Sequence, residues 1–473
     1  MNTITQKLSL KEKLGYGFGD LASVLYWQTF MLYFTYFYTD VFLIPASVAA
    51  TMFLVSRLWD GVNDPLMGII ADRTNTKWGK FRPYLLWLCV PFAFIGVLTF
   101  TVPDFSISGK IIWAYATFIL IMMLYTAINI PYTSLLGVIS ANSDERTSVS
   151  SIKFLFAFAA GIIVSATLLP MTKTLGGGND AKGWQLSFII YGIAAIGFFL
   201  IAFKSTKERV KPPKTQKTTV GKDLYNLVTN GPWLILLATT ITFILFVAVR
   251  SSVTVHYFKY VIGDMELKIP FLGENTYDFV ALTSAYNTVG QISSFIGVLL
   301  VTWFARLIGK KKAFVILFII AIFSTGILYF LTKEQIGLIF FFQITGSMTG
   351  GPLSVLIWAM YADTADYGEW KRGTRSTGLI FSASTMSQKF GWAFGAFVAL
   401  NLMSQLGFQP NEEQSIESLR GLILLFSLIP AAMGVLSIIL SLIYPLNEKR
   451  VKEISLELHN RRKAAGEADD LEL

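Results

Sequence analysis

The stretch Thr51-Met-Phe-Leu-Val-Ser-Arg57-Leu-Trp-Asp60-Gly61-Val-Asn63-Asp64-Pro65-Leu-Met-Gly-Ile-Ile-Ala71 is apolar and long enough to cross a bilayer as a helix, yet it carries three charges. Each carboxylate near mid-membrane costs about 2.5–3.5 kcal/mol on insertion scales. Asp60 and Asp64 stand at i, i+4 and share one helical face, with Arg57 and Asn63 close to the same stripe. Pro65 frees the carbonyl of Gly61, and the glycine leaves room for something to approach. A kink alone explains Gly61 and Pro65 but not two acids. Carboxylate and amide oxygens converging in a dry bundle make a seat for a small hard cation or a proton. The stretch therefore points to ion-coupled transport.

The same apolar character recurs along all 473 residues: 53% are hydrophobic, 15% are charged and the mean hydropathy is +0.56. That composition is of a polytopic membrane protein embedded in a lipid bilayer. Twelve candidate spans fall at 14–40, 46–72, 83–103, 110–139, 150–171, 184–204, 232–261, 277–305, 312–332, 336–362, 376–406 and 419–444. The net charge of +9 does not indicate a nucleic-acid partner, because the basic residues sit in loops between apolar runs. One cysteine, Cys89, excludes an internal disulfide, and two histidines leave little for metal or acid–base chemistry. No nucleophile–base set appears, so an enzyme is not expected, nor a cofactor beyond a coupling Na+ or H+. The basic start, 1–13, runs straight into a span without a signal-peptide pattern.

Short loops alternate between two sides. One carries Arg73, Lys77, Lys80 and Arg82, then Arg146, Lys310 to Lys312, and Lys371, Arg372 and Arg375. This basic side is expected to be cytoplasmic, which places both termini inside the inner membrane. The longest polar connection, with Pro212-Pro213, divides the spans six and six. The expected organisation is a bundle over 1–203, a cytoplasmic loop over 204–231, a second bundle over 232–445 and a cytoplasmic tail over 446–473. Asp144-Glu-Arg146-Thr-Ser entering span five has a weak parallel in Arg375-Ser-Thr entering span eleven. The fold expected is an all-α membrane protein of twelve transmembrane helices in two six-helix bundles, the major facilitator fold, acting as a monomer.

Other polar residues gather at comparable depth. Asp20 follows the small-residue run Gly15-Tyr-Gly17-Phe-Gly19, suited to close helix packing. Span four holds Tyr125-Thr126-Ala-Ile-Asn129-Ile-Pro131, span five Lys153, and span seven Arg250 with His256 beyond it. Lys389 and Thr385 lie in span eleven, and so deep a lysine needs a partner, for which the acids of span two are candidates. Tyr26, Trp27 and Tyr33 are of the type that stacks on a sugar ring, with packing the plainer reading. In the loops, Asp72-Arg73 follows span two and Asp363-Thr-Ala-Asp366 ends span ten. Acids at one helix end and bases at the next are expected to form an interdomain ion-pair latch holding one facing state, with topology setting by the basic residues as the plainer alternative.

Several stretches together carry a family resemblance: Gly15-Tyr-Gly-Phe-Gly19, Tyr38-Thr-Asp40-Val41, Arg57-Leu-Trp-Asp60-Gly-Val-Asn63-Asp64-Pro65, Trp78-Gly-Lys-Phe81, Asn129-Ile-Pro131 and Asp363-Thr-Ala-Asp366-Tyr-Gly-Glu369. The chain resembles the glycoside–pentoside–hexuronide:cation symporters over nearly all twelve spans. The resemblance implies symport of a sugar or glycoside with sodium, lithium or a proton. By position, Asp60, Asn63, Asp64 and Thr126 resemble the cation site, with Asp60 and Asp64 as metal ligands if the ion is Na+. Lys389 and Thr385 resemble a polar pair facing the sugar cavity, and Arg57 the base preceding the acids. Relative to the melibiose-transporting branch, Val24 and Asn129 replace sugar-binding acids, and Thr133 and Ser354 replace tryptophans.

The expected function is cation-coupled symport of a sugar, glycoside or oligosaccharide by alternating access. Candidate substrate contacts are Asp20, Tyr125, Asn129, Lys153, Arg250, Thr385 and Lys389, and candidate gating residues are Arg57, Asp72, Arg73, Asp363 and Asp366. The bases Arg250, Lys153 and Lys389 leave room for an anionic sugar such as a hexuronide. A lysolipid transporter on the same fold is a further alternative.

Overall fold

The computed structural model describes residues 7–140, 143–209, 225, 227–269, 273–373 and 377–464. Each of the twelve expected spans has a helical stretch among them. In chain order these are α1 (Leu10–Tyr36), α2 (Ala46–Arg73), α3 (Arg82–Thr99), α4 (Ile107–Ile139), α5 (Ser143–Gly176), α6 (Asp180–Ser205), α7 (Gly231–His256), α8 (Phe279–Ile308), α9 (Lys310–Gly326), α10 (Ile336–Arg372) and α11 (Thr377–Gln405). The last is split at Ser427 into α12 (Ile416–Phe426) and α13 (Leu428–Ile443), and an amphipathic helix, α14 (Glu448–Ala464), follows. The Arg375-Ser-Thr stretch, most of the central loop and the end of the tail lie outside the described residues.

Nine of these stretches are long and apolar enough to cross a membrane by length and composition. Those left over are α1, α2 and α11, the helices that hold Asp20, then Arg57, Asp60 and Asp64, then Lys389. The polar residues inside them lower the hydropathy of these three helices.

Helix ends explain most departures from the expected boundaries. Ser9 caps α1 by accepting from the Glu12 N–H, Ser106 caps α4 and Asn179 caps α6. Helix α10 runs to Arg372, well past its apolar window, and stops at Gly373 in the left-handed conformation. Helices α1 and α7 each end in a π-helical turn, Phe37–Val41 and Tyr257–Ile262. The antiparallel hairpin β1 (Met265–Ile269) and β2 (Gly273–Tyr277) was not expected; β1 alternates apolar and polar residues, but its partner Gly-Glu-Asn-Thr-Tyr does not.

Contacts divide the chain into two units: Met1–Lys214 with Ser251–Gln291 and Ala396–Leu422, and Thr215–Arg250 with Ile292–Gly395 and Ile423–Leu473. The first unit thus takes in the ends of α7 and α11 along with the hairpin. Its core is aromatic, with Phe30, Phe37, Phe100, Trp184 and Phe188 buried and mutually packed. Tyr26 and Tyr33, considered above as sugar platforms, are fully buried in this core. The second unit packs Phe243, Phe314, Phe318, Leu353, Ile357 and Tyr361. There α8 and α10 approach so closely that a Cβ on Gly297 would lie 2.0 Å from the Met348 carbonyl oxygen.

The Trp78-Gly-Lys-Phe81 motif is explained by a carboxylate. Glu208 accepts from the backbone N–H groups of Lys80, Phe81 and Arg82 at 2.8–3.0 Å, satisfying the orphan donors that start α3. Gly79 has φ +108°, and a Cβ there would fall 2.4 Å from the Glu208 carboxyl carbon. Gly79→Ala is therefore expected to lower stability by about 2 kcal/mol or more, from backbone strain and a displaced cap. Glu208→Gln should give a smaller loss, and thermal unfolding of the purified variants checks both.

Candidate cation and substrate site

All charged groups of the opening stretch lie in the first unit. Arg57 and Asp60 are buried, and the Arg57 Nη1 donates to Asp60 Oδ2 at 2.8 Å. The guanidinium is held from both sides by rings, 4.8 Å from the Trp27 centroid and 4.9 Å from that of Phe53. One helical turn on, Asp64 Oδ1 accepts from Thr126 Oγ1 of α4 at 2.9 Å. Between the two acids, the Asn63 Nδ2 is buried and makes no hydrogen bond to a described residue. Rotated about its last bond, the same amide presents its oxygen instead. The structure thus brings Asp60, Asn63, Asp64 and Thr126 to one place, with Arg57 as the resident countercharge.

The other candidates of the first unit sit beside this cluster. Tyr125 stacks on Trp27 with ring centroids 5.5 Å apart, and so adjoins the face that Arg57 covers. Asn129 is half-buried on α4, one turn past Thr126. Asp20 and Lys153 lie together: Oδ1 and Nζ are 3.6 Å apart, and Lys153 lies over the Tyr132 ring. Each thus compensates the other's charge. Tyr132 and Tyr16 stack above and exchange hydrogen bonds with each other's backbone carbonyls.

In the second unit, Arg250 donates to the Gln343 Oε1 at 3.0 Å and to the Thr325 hydroxyl at 3.4 Å, with its guanidinium 5.1 Å from the Phe426 ring centroid. Thr385 and Lys389 stand on α11, exposed and half-buried respectively. Of the gating candidates, Asp363 is paired with Lys310 at the start of α9, at 2.6 Å, within its own unit, where a latch between the two bundles had been expected. Asp366 is half-buried on the next turn of α10, Arg73 is exposed at the end of α2, and the Asp72 side chain lies outside the described residues.

A cluster that sequence reasoning missed lies at the far end of α1. The Asp40 side chain is buried and accepts from Lys259 Nζ at 2.8 Å and from the Tyr260 hydroxyl, while His256 Nε2 lies 2.9 Å away. Thr39 completes the ring at 2.7 Å from Asp40 and 3.0 Å from His256. Asn411 Nδ2 donates to the Asp40 carbonyl at 2.8 Å, tying in the loop before α12. The sequence signals available were the Tyr38-Thr-Asp40-Val41 motif and a histidine one and a half turns past Arg250.

A charged cluster buried among long apolar helices is the mark of a multi-pass membrane protein, and solved structures share its fold. The chain superposes on a bacterial homologue of the human drug peptide transporters PepT1 and PepT2 with a TM-score of 0.65 and 13% identity, covering 95% of this chain and 99% of that one. It superposes on the nucleoside transporter NupG with a TM-score of 0.63 and 13% identity, covering 91% and 99%. At such identities the likeness speaks for the fold alone. The chain belongs to the MFS/sugar transport protein family, whose model matches residues 15–448. It is 35% identical to the putative glycoside/cation symporter YagG of Escherichia coli, over 98% of this chain and 97% of the relative. It is likewise 35% identical to the isoprimeverose transporter of Lactiplantibacillus pentosus, over 94% and 90%. A glucuronide carrier protein homolog of Escherichia coli is 28% identical over 97% and 98%.

Proposed function

We propose that the protein imports a neutral glycoside or short oligosaccharide with one monovalent cation, Na+ or H+, bound at Asp60, Asn63, Asp64 and Thr126. The observation that carries this is the charge balance on α2. Arg57, Asp60 and Asp64 sum to minus one, so one monovalent cation neutralises the set in a dry bundle. Arg57 holds Asp60 in the meantime, and a cation entering beside Asp64 competes for the same oxygens. Site occupancy then biases the equilibrium between two facing states, and linkage makes sugar and cation favour each other's binding.

The bases speak for a neutral sugar. Lys153 is compensated by Asp20, and Arg250 is engaged by Gln343, Thr325 and Phe426. An anionic sugar would have to displace those partners. Relatives named for a glycoside and for isoprimeverose point the same way. In this reading both termini face the cytoplasm, on the side of the basic loops, as the excess of Lys and Arg there supports.

Proteoliposomes loaded with labelled glycosides, a hexuronide and a lysolipid test the reading, with sodium and proton gradients imposed separately. Accumulation of a neutral glycoside under one gradient is expected. Uptake indifferent to both gradients, or confined to the hexuronide or the lysolipid, overturns it.

A further inference from the structure

The second unit has an open groove of about 560 Å³ between the start of α9 and the junction of α13 with α14. Three consecutive lysines begin α9, and the structure gives two of them internal work. Lys310 pairs with Asp363, and Lys311 donates to the Leu442 and Tyr444 carbonyls at 2.9 and 2.6 Å, closing the end of α13. The third, Lys312, is exposed at the groove, where Lys449 faces it from the first turn of α14. Neither makes an ion pair with a described residue. Counting the pinned Lys311 and the acid Glu448, the lining carries a net charge of plus two.

The rest of the groove is apolar. Val315, Ile316 and Leu442 line it, and exposed side chains continue from it along both helices: Ile319, Ile320 and Phe323 on α9, Val435, Leu436 and Ile439 on α13. A positive rim above an apolar track at a span end is the chemistry of a lipid with an anionic headgroup. A soluble anion has no use for the track, and a neutral lipid none for the lysines.

We propose that this groove is a binding site for one anionic phospholipid, its phosphate held by Lys312 and Lys449 and an acyl chain laid along α9 and α13. The basic-loop asymmetry puts the site in the cytoplasmic leaflet, whose negative lipids attract such lysines. Each lysine near a charged surface is worth about a fivefold preference, so the pair gives roughly 25-fold. The site does not depend on what the transporter carries.

The test is lipid retention by the full-length protein, measured by native mass spectrometry after exchange into detergent with equimolar phosphatidylglycerol and phosphatidylcholine. One retained phosphatidylglycerol is expected, in excess of phosphatidylcholine by about tenfold or more. That preference should fall to near unity in Lys312→Gln/Lys449→Gln and stay unchanged in Lys333→Gln, a lysine at the opposite end of its span. Leu442→Trp, which fills the apolar track, should lower retention without touching a charge. Inorganic phosphate at millimolar concentration should not displace the lipid. Equal retention of both lipids by the unmodified protein overturns the proposal, as does an undiminished preference in the double variant. Displacement by phosphate alone would reassign the site to a free anion.

Discussion

Asp64→Asn is expected to leave a folded protein whose uptake no longer responds to a cation gradient. An asparagine oxygen still accepts from Thr126, so the local geometry survives, while the negative charge proposed to hold the cation is gone. Losing one charged ligand is worth about 1.5–3 kcal/mol, hence roughly a 10- to 150-fold loss of apparent cation affinity. Asp60→Asn should fail differently. Arg57 is buried between Trp27 and Phe53 with Asp60 as its ion-pair partner. Removing one member of a buried pair costs about 3–5 kcal/mol, because the other charge stays behind. The Asp60 variant should therefore melt early in detergent, and Arg57→Gln/Asp60→Asn should recover much of the loss without regaining the cation response. Gradient-stimulated uptake at full rate in Asp64→Asn would remove α2 from the coupling mechanism.

The second large effect belongs to Asp40. Its carboxylate is shared by Lys259, Tyr260 and His256, and its backbone carbonyl holds Asn411. Asp40→Ala leaves a buried imidazole without its hydrogen-bond partner and a largely buried ammonium without its anion, at about 3 kcal/mol or more. Thermal unfolding should show that loss, and Asp40→Asn with Lys259→Met should show less than the sum of the two single changes, since they break one interaction. Three segments distant in sequence meet here, so uptake should fall by about tenfold or more if the ends of α1 and α7 must part and rejoin in each cycle. Additive stability losses, or normal uptake in Asp40→Ala, would reduce the cluster to ordinary packing.

The twelve apolar stretches and the acids of α2 were legible because both rest on local rules: run length for a span, and spacing of four for a shared face. Thr126 was reachable only through resemblance, since no rule of spacing relates α4 to α2. The Asp20–Lys153 pair escaped because each residue was weighed separately as a sugar contact, and its cancelling charge is a tertiary fact. The Asp40 cluster escaped for the same reason, its partners lying more than 200 positions away. Asp363 was expected to pair with a base across the two bundles, but its own unit supplies Lys310, one of a lysine run read only as a topology signal. Helix ends ran past their apolar windows because capping by Ser9, Asn179 and Gly373 decides where a helix stops.

Helices α1, α2 and α11 carry charges inside their apolar runs: Asp20, then Arg57, Asp60 and Asp64, then Lys389. Asp20 is met by Lys153 of α5, and Asp64 accepts from the Thr126 hydroxyl of α4. During synthesis α2 leaves the ribosome before either α4 or α5 exists. It must therefore be held at the insertion machinery, or lie shallow, until those helices arrive. The order of manufacture thus bears on the residues proposed to hold the ion, and a chain truncated after α3 should leave α2 poorly inserted.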